Sequence, residues 1–95
     1  MNVMYEVFVY NSYFQRRDGE KVFSKIQDAR KYGYKLLKSH PMAQGGQVEV
    51  VKTFSVSHEW YRISKHHGQV YFKSNTNSEC WILNADGSLG EKVKG

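Results

Sequence analysis

The sequence predicts an α+β fold in which one amphipathic helix packs on one face of a four- to five-stranded, mainly antiparallel sheet, in the order β-α-β-β-β(-β). Three observations carry the prediction. Ten valines stand against four leucines and, with seven Tyr, five Phe and two Trp, make the β-branched and aromatic excess that half-buried strands favour. Only residues 25–39 show helical periodicity. The segments after them are short, apolar-rich and bounded by turn residues, with no second helix among them. At 95 residues the chain falls short of the ~150 usually allotted to one domain. Residues 1–95 are therefore expected to form one small domain, with 88–95 a short edge strand or a frayed tail.

Val3, Tyr5, Val7 and Val9 alternate with Met4, Glu6, Phe8 and Tyr10, the period of a strand. Both sets are fairly apolar, which predicts an interior strand. Asn11 to Val22 contains the turn signal Asp18-Gly19 and reads as a loop or a short hairpin. The helix is expected from Lys25 to Ser39, with Ser24 and Gln27 at the S-x-x-Q spacing of a capping box. Ile26, Ala29, Gly33, Leu36 and Leu37 then share a core stripe, and Lys31, Tyr34, Lys35 and Lys38 share the outward one. Gly33 costs about 1 kcal/mol against Ala inside a helix, so its presence predicts close packing on the sheet. Pro41 ends the helix by pushing the residue before it out of the α region. Strands are expected at 47–57, 59–65, 69–74 and 79–84, with Asp86-Gly87 as a further turn. Trp81 is expected to be mainly structural.

The formal charge of +5 is localised. Arg16, Arg17, Lys21, Lys25, Arg30, Lys31, Lys35 and Lys38 face three acidic residues between positions 16 and 38, and the rest of the chain is neutral. A charge excess confined to one loop and helix is the footprint of a surface that meets an anion, although a solvated helix also carries lysines for solubility. A second candidate surface follows from strand parity. Around Lys65-His66-His67-Gly68, a four-residue connection sets Arg62 opposite Tyr71 and Trp60 opposite Lys73, whereas a two-residue turn sets Arg62 opposite Lys73. Either way Trp60, Arg62, Tyr71 and Lys73 lie away from the core residues Ile63, Val70 and Phe72. Aromatics beside cations suit single-stranded nucleic acid, which binds by stacking and phosphate neutralisation. They also suit simple cation–π packing on an exposed sheet.

No catalytic, metal or cofactor constellation stands out. His40, His58, His66 and His67 show no H-x-x-x-H spacing, and the single Cys80 rules out an internal disulfide and a C-x-x-C pair. Gly45-Gly46 follows a helix, where a phosphate loop precedes one. Gly68-Gln69-Val70-Tyr71-Phe72 is similar to the core of the RNA-recognition-motif signature, but Gln69 stands at a stacking position and the second helix is missing. The double-stranded-RNA-binding pattern likewise lacks room for its basic second helix. In layout the chain resembles small proteins encoded by phages and mobile elements, without a motif diagnostic of one family.

The longest apolar runs are three or four residues, against the ~20 that cross a bilayer, so no membrane association is expected. With no signal-peptide pattern and one cysteine, a cytoplasmic setting follows by default. The sequence therefore predicts a small non-enzymatic basic domain that associates with nucleic acid through Arg16, Arg17, Arg30, Lys31, Tyr34, Lys35, Lys38, Trp60, Arg62, Tyr71 and Lys73. The alternative is a protein-binding regulator or inhibitor, using the same aromatic and arginine residues as hot spots. Either a monomer or a homodimer through an open sheet edge fits the pattern.

Overall fold

The alternating residues near the N-terminus do form a strand, β1 (Val3–Asn11), in the computed structural model, which describes residues 3–11, 14–43 and 47–93. It is followed by β2 (Arg16–Phe23), helix α1 (Ile26–Ser39) and a 3-10 turn at Pro41–Ala43. Five strands come after: β3 (Gln47–Phe54), β4 (Ser57–His66), β5 (Gln69–Ser74), β6 (Cys80–Leu83) and β7 (Leu89–Val93). They make one sheet in the order β2-β1-β3-β4-β5-β6-β7, antiparallel at every pairing. β1 lies between β2 and β3, the interior position its two apolar sides predict.

The α+β architecture with one helix on an antiparallel sheet is as expected, but the strand count and order are not. There are seven strands, and two precede the helix. β2 escapes pattern reading because it is an edge strand whose eight residues, Arg16–Phe23, are mostly exposed, so no apolar alternation marks it. Asp18-Gly19 is not the turn. The pairing with β1 shifts register between Val7 and Val9, and Gly19 (φ +68°) sits in the resulting bulge. There it is close enough to Leu36 that an added Cβ would lie 2.8 Å from Cδ1. Of the two readings of 88–95, the edge strand holds for residues 89–93, which form the far edge of the sheet; residues 94–95 lie outside the described residues.

Helix α1 also departs from expectation at its start. Its N-cap is Lys25, and no side-chain capping bond is made, so the Ser24/Gln27 capping box does not form. The N-terminal part of the helix is instead held by the turn between β6 and β7. Arg30 Nε donates to the Gly87 carbonyl at 2.7 Å, and Gln27 Nε2 donates to the Asp86 carbonyl at 3.4 Å. Gly87 (φ +88°) comes so near the helix that an added Cβ would clash with the Gln27 carbonyl and lie 2.8 Å from the Lys31 amide nitrogen. At the other end, His40 is extended (φ −83°, ψ 126°) as the residue before Pro41 should be.

The core lies between the helix and one sheet face. Ala29, Gly33, Leu36 and Leu37 are buried against Val7, Val9, Val48, Val50, Ile63, Val70, Phe72 and Leu83, with Ile26 half-buried at the margin. Full burial of each large side chain stabilises by roughly 1.5–3 kcal/mol. Trp81 joins this side, its ring centroid 6.4 Å from that of Phe72, which fits the structural role expected of it. Between β4 and β5 the chain turns in two residues, His67 (φ +50°) and Gly68 (φ +79°), the primed geometry that matches strand twist. Arg62 therefore pairs with Lys73, and Tyr71 pairs with Ser64. No helix among the described residues is long and apolar enough to cross a membrane.

Candidate functional site

The expected site residues fall on two surfaces on opposite sides of the sheet. The first is the outer side of α1. Lys31, Lys35 and Lys38 are exposed there, whereas Tyr34, expected on the same outward stripe, is half-buried and packs against the margin of the core. Among the described residues no carboxylate lies within ion-pair distance of these three lysines, although the Lys31 charge helps to lower the Asp86 pKa. Lys31, Lys35 and Tyr34 line an open groove of about 540 Å³ together with Phe23, Tyr32 and Asp28. The rings of Phe23 and Tyr32 pack 5.4 Å apart, and the Tyr32 hydroxyl donates to the Gly19 carbonyl at 2.6 Å. The bulge in β2 thus holds one wall of the groove. Lys21 lies 5.1 Å from the Tyr32 ring centroid and Lys38 lies 5.3 Å from that of Tyr34, so cations and aromatic faces alternate across the surface. Phe23 and Tyr32 are absent from the sequence-derived set, although the i, i+3 spacing of Tyr32 and Lys35 signals their adjacency.

Arg30 belongs elsewhere. It is partly buried, its guanidinium carbon 5.5 Å from the Phe72 ring centroid and its Nε on the Gly87 carbonyl. Burial lowers its pKa from the ordinary arginine value. Its position is that of a strut between helix and turn. Arg16 pairs with Asp18 at 3.1 Å and lies over Phe14. Asp86, at the same turn, is held below the usual carboxylate range by hydrogen bonds from the Ser88 hydroxyl and amide.

The second surface is the uncovered face of the sheet. Strand pairing sets Val22, Glu6, Val51 and Trp60 in one row and Phe8, Glu49, Arg62, Lys73 and Cys80 in the next. Arg17 is on this face too, away from the helix. Its guanidinium stacks 4.2 Å from the Phe8 ring centroid and pairs with both Glu6 (3.1 Å) and Glu20 (3.2 Å). The Trp60 ring meets Phe8 edge to face at 6.4 Å. A second groove, about 370 Å³, runs between Phe8, Tyr10, Arg17, Glu49, Trp60 and Arg62.

Electrostatically the two surfaces differ. On the sheet face Arg17 is more than neutralised. Arg62 has Glu49 Oε1 at 3.6 Å, an ion pair too long for a hydrogen bond, and its buried Nε has no hydrogen-bond partner. Arg62 and its cross-strand neighbour Lys73 thus have one carboxylate beside them, which reaches Arg62 alone, and this stretch of β4 and β5 is cationic. Tyr71, half-buried, lies between Ser64 and Ile82 in the adjoining row. Among the described residues no group of three or more His, Cys, Asp or Glu side chains converges as metal ligands would. Comparison with family models, curated proteins and solved structures gives no match.

Proposed function

We propose that this chain is a non-enzymatic binding protein that engages single-stranded nucleic acid on the outer side of α1. The observation that carries the reading is the groove in which Lys31 and Lys35, neither within ion-pair distance of a described carboxylate, outnumber the one lining carboxylate, Asp28, and stand among Phe23, Tyr32 and Tyr34. Phosphates neutralised by lysine and bases stacked on aromatic side chains are the two terms of sequence-tolerant single-strand binding. Duplex offers its bases no comparable access to such rings. The reading takes the protein to work in the reducing interior of a cell, where Cys80 stays a thiol.

The sheet face supports this reading less well, since Glu6, Glu20 and Glu49 accompany its arginines and would repel phosphate. Its aromatic and paired polar residues favour a protein contact, which is the alternative reading of the same sequence features. The deciding experiment is fluorescence anisotropy with a labelled mixed-sequence single-stranded oligonucleotide across a salt series. Lys31→Glu with Lys35→Glu should weaken binding by more than about tenfold and flatten the salt slope by roughly 1 to 2. Absence of binding at low salt removes the proposal.

A further inference from the structure

From the distribution of apolar and charged residues on the uncovered sheet face, we infer that this face is a homodimer interface whose occupant is a second copy of the chain. The apolar part comes first. The described large hydrophobic residues that remain exposed are Met4 (46%), Tyr10 (52%), Val22 (54%), Trp60 (40%), Phe14 and Val56, and the first four all lie on this face. The other two are in turns. Strand pairing runs Val22, Glu6, Val51 and Trp60 in one row, so the exposed apolar side chains of Val22 and Trp60 lie on either side of the Glu6 carboxylate and the buried Val51. The two longer dimensions of the molecule, 38 and 33 Å, bound a face on the order of 1,000 Å², enough for the ~800 Å² per partner that a specific interface uses.

Charge selects the occupant. The β1–β2 flank carries Glu6 and Glu20 around the single Arg17 and is net negative. Over β4 and β5, Arg62 and Lys73 outnumber the one carboxylate beside them, Glu49 of β3, and this stretch of the face is net positive. A twofold axis running along β3, in the plane between two copies, lays β2 and β1 of each copy, with Glu20 and Glu6, over β5 and β4 of the other, with Lys73 and Arg62. Strands then stay nearly aligned across the interface, as packed sheets prefer. An axis across the strands would oppose like charges, so the arrangement is specified. Pairing through sheet edges fits less well, because β2 is bulged and heavily charged and β7 is short. Dimerisation leaves both helices facing outward, so it neither requires nor obstructs the nucleic-acid reading.

The test is sedimentation equilibrium on nuclease-treated full-length protein, with circular dichroism to verify folding of each variant. The wild type should self-associate reversibly to a dimer. Trp60→Lys, Lys73→Glu and Glu20→Lys should each raise the dimer dissociation constant by about tenfold or more. An equimolar mixture of Lys73→Glu and Glu20→Lys should restore dimerisation to near the wild-type constant, because both cross-axis contacts are again between opposite charges. A wild type that stays monomeric up to about 1 mM, a dimer indifferent to Trp60→Lys, or a mixture no tighter than its components overturns the inference.

Discussion

Gly33 in helix α1 lies against Ile63 of β4 with no room for a methyl group between them: a Cβ built on the glycine collides with Ile63 Cδ1 and lies 3.6 Å from Val7 Cγ1. The close approach lets a single helix cover the middle of a wide sheet. Gly33→Ala should gain about 1 kcal/mol of helix propensity and lose about 1–3 kcal/mol to overpacking, since Ile63 is fully buried. A net loss is expected in chemical denaturation. Ile63→Val removes the colliding carbon at a cost of about 0.5–1.5 kcal/mol on its own. The double variant should therefore be more stable than the two single losses predict. Simple additivity would refute the contact.

Arg30 separates a structural cation from a binding one. Its hydrogen bond to the Gly87 carbonyl joins the helix to a turn 57 residues away, and its guanidinium packs over Phe72. Arg30→Ala should lower stability by about 1–3 kcal/mol, the usual loss when a partly buried charged hydrogen bond goes, while oligonucleotide affinity of the folded fraction stays within about twofold. Gly87→Ala should be worse, because it adds left-handed strain to a clash with the Gln27 carbonyl. Thermal melts alongside anisotropy titrations read both outcomes. A large affinity loss in well-folded Arg30→Ala would return this residue to the binding surface.

These two contacts also mark the boundary of what can be read from sequence. Alternation in β1, the helix stripe around Gly33 and the core side of β4 and β5 are local patterns, and they come through. Strand β2 does not, because an exposed edge strand has no burial period and Asp18-Gly19 serves equally as turn or bulge. The Ser24/Gln27 box fails because the local cap competes with a turn that only folding brings to the helix. For the candidate surfaces, parity separates Trp60, Arg62 and Lys73 from the core in either hairpin register. It carries no information on the carboxylates that meet Arg17 and Arg62, nor on Arg17 facing away from Lys31 and Lys35. Those depend on long-range register, which for β1 against β2 includes a bulge.

Tyr61 should be a late-titrating tyrosine. Burial, reinforced by a 2.7 Å hydrogen bond donated to Glu59 and by that carboxylate's charge, pushes its pKa from 10.0 up to about 12. The folded state favours the neutral phenol, so this contribution is complete below pH 10.0 and is lost as the pH climbs from there toward about 12. Its ring also stacks on Phe72 at 4.9 Å, so tyrosinate formation disturbs the core margin. In a spectrophotometric titration Tyr61→Phe should remove the highest-pH phase. The variant should also lose less stability than the wild type over that interval. A titration whose highest-pH phase is unchanged in Tyr61→Phe would show that the residue is not held neutral by its surroundings.

Stacking and phosphate neutralisation on the helix surface can be separated by their different response to salt. Tyr34 supplies a ring, with Lys38 over it at 5.3 Å, and Lys35 supplies a charge in the same groove. Tyr34→Ala should weaken single-strand binding by about 1–3 kcal/mol while leaving the salt slope nearly unchanged, because no counterion-displacing charge is lost. Lys35→Gln should shift the slope by roughly one phosphate contact, about 0.7 for a single strand, with a smaller loss at moderate salt. Tyr34→Phe keeps the ring and should retain affinity. If Tyr34→Ala and Lys35→Gln instead change the slope equally, the ring acts only by holding Lys38. Binding would then be electrostatic alone, with little preference for single strands over duplex.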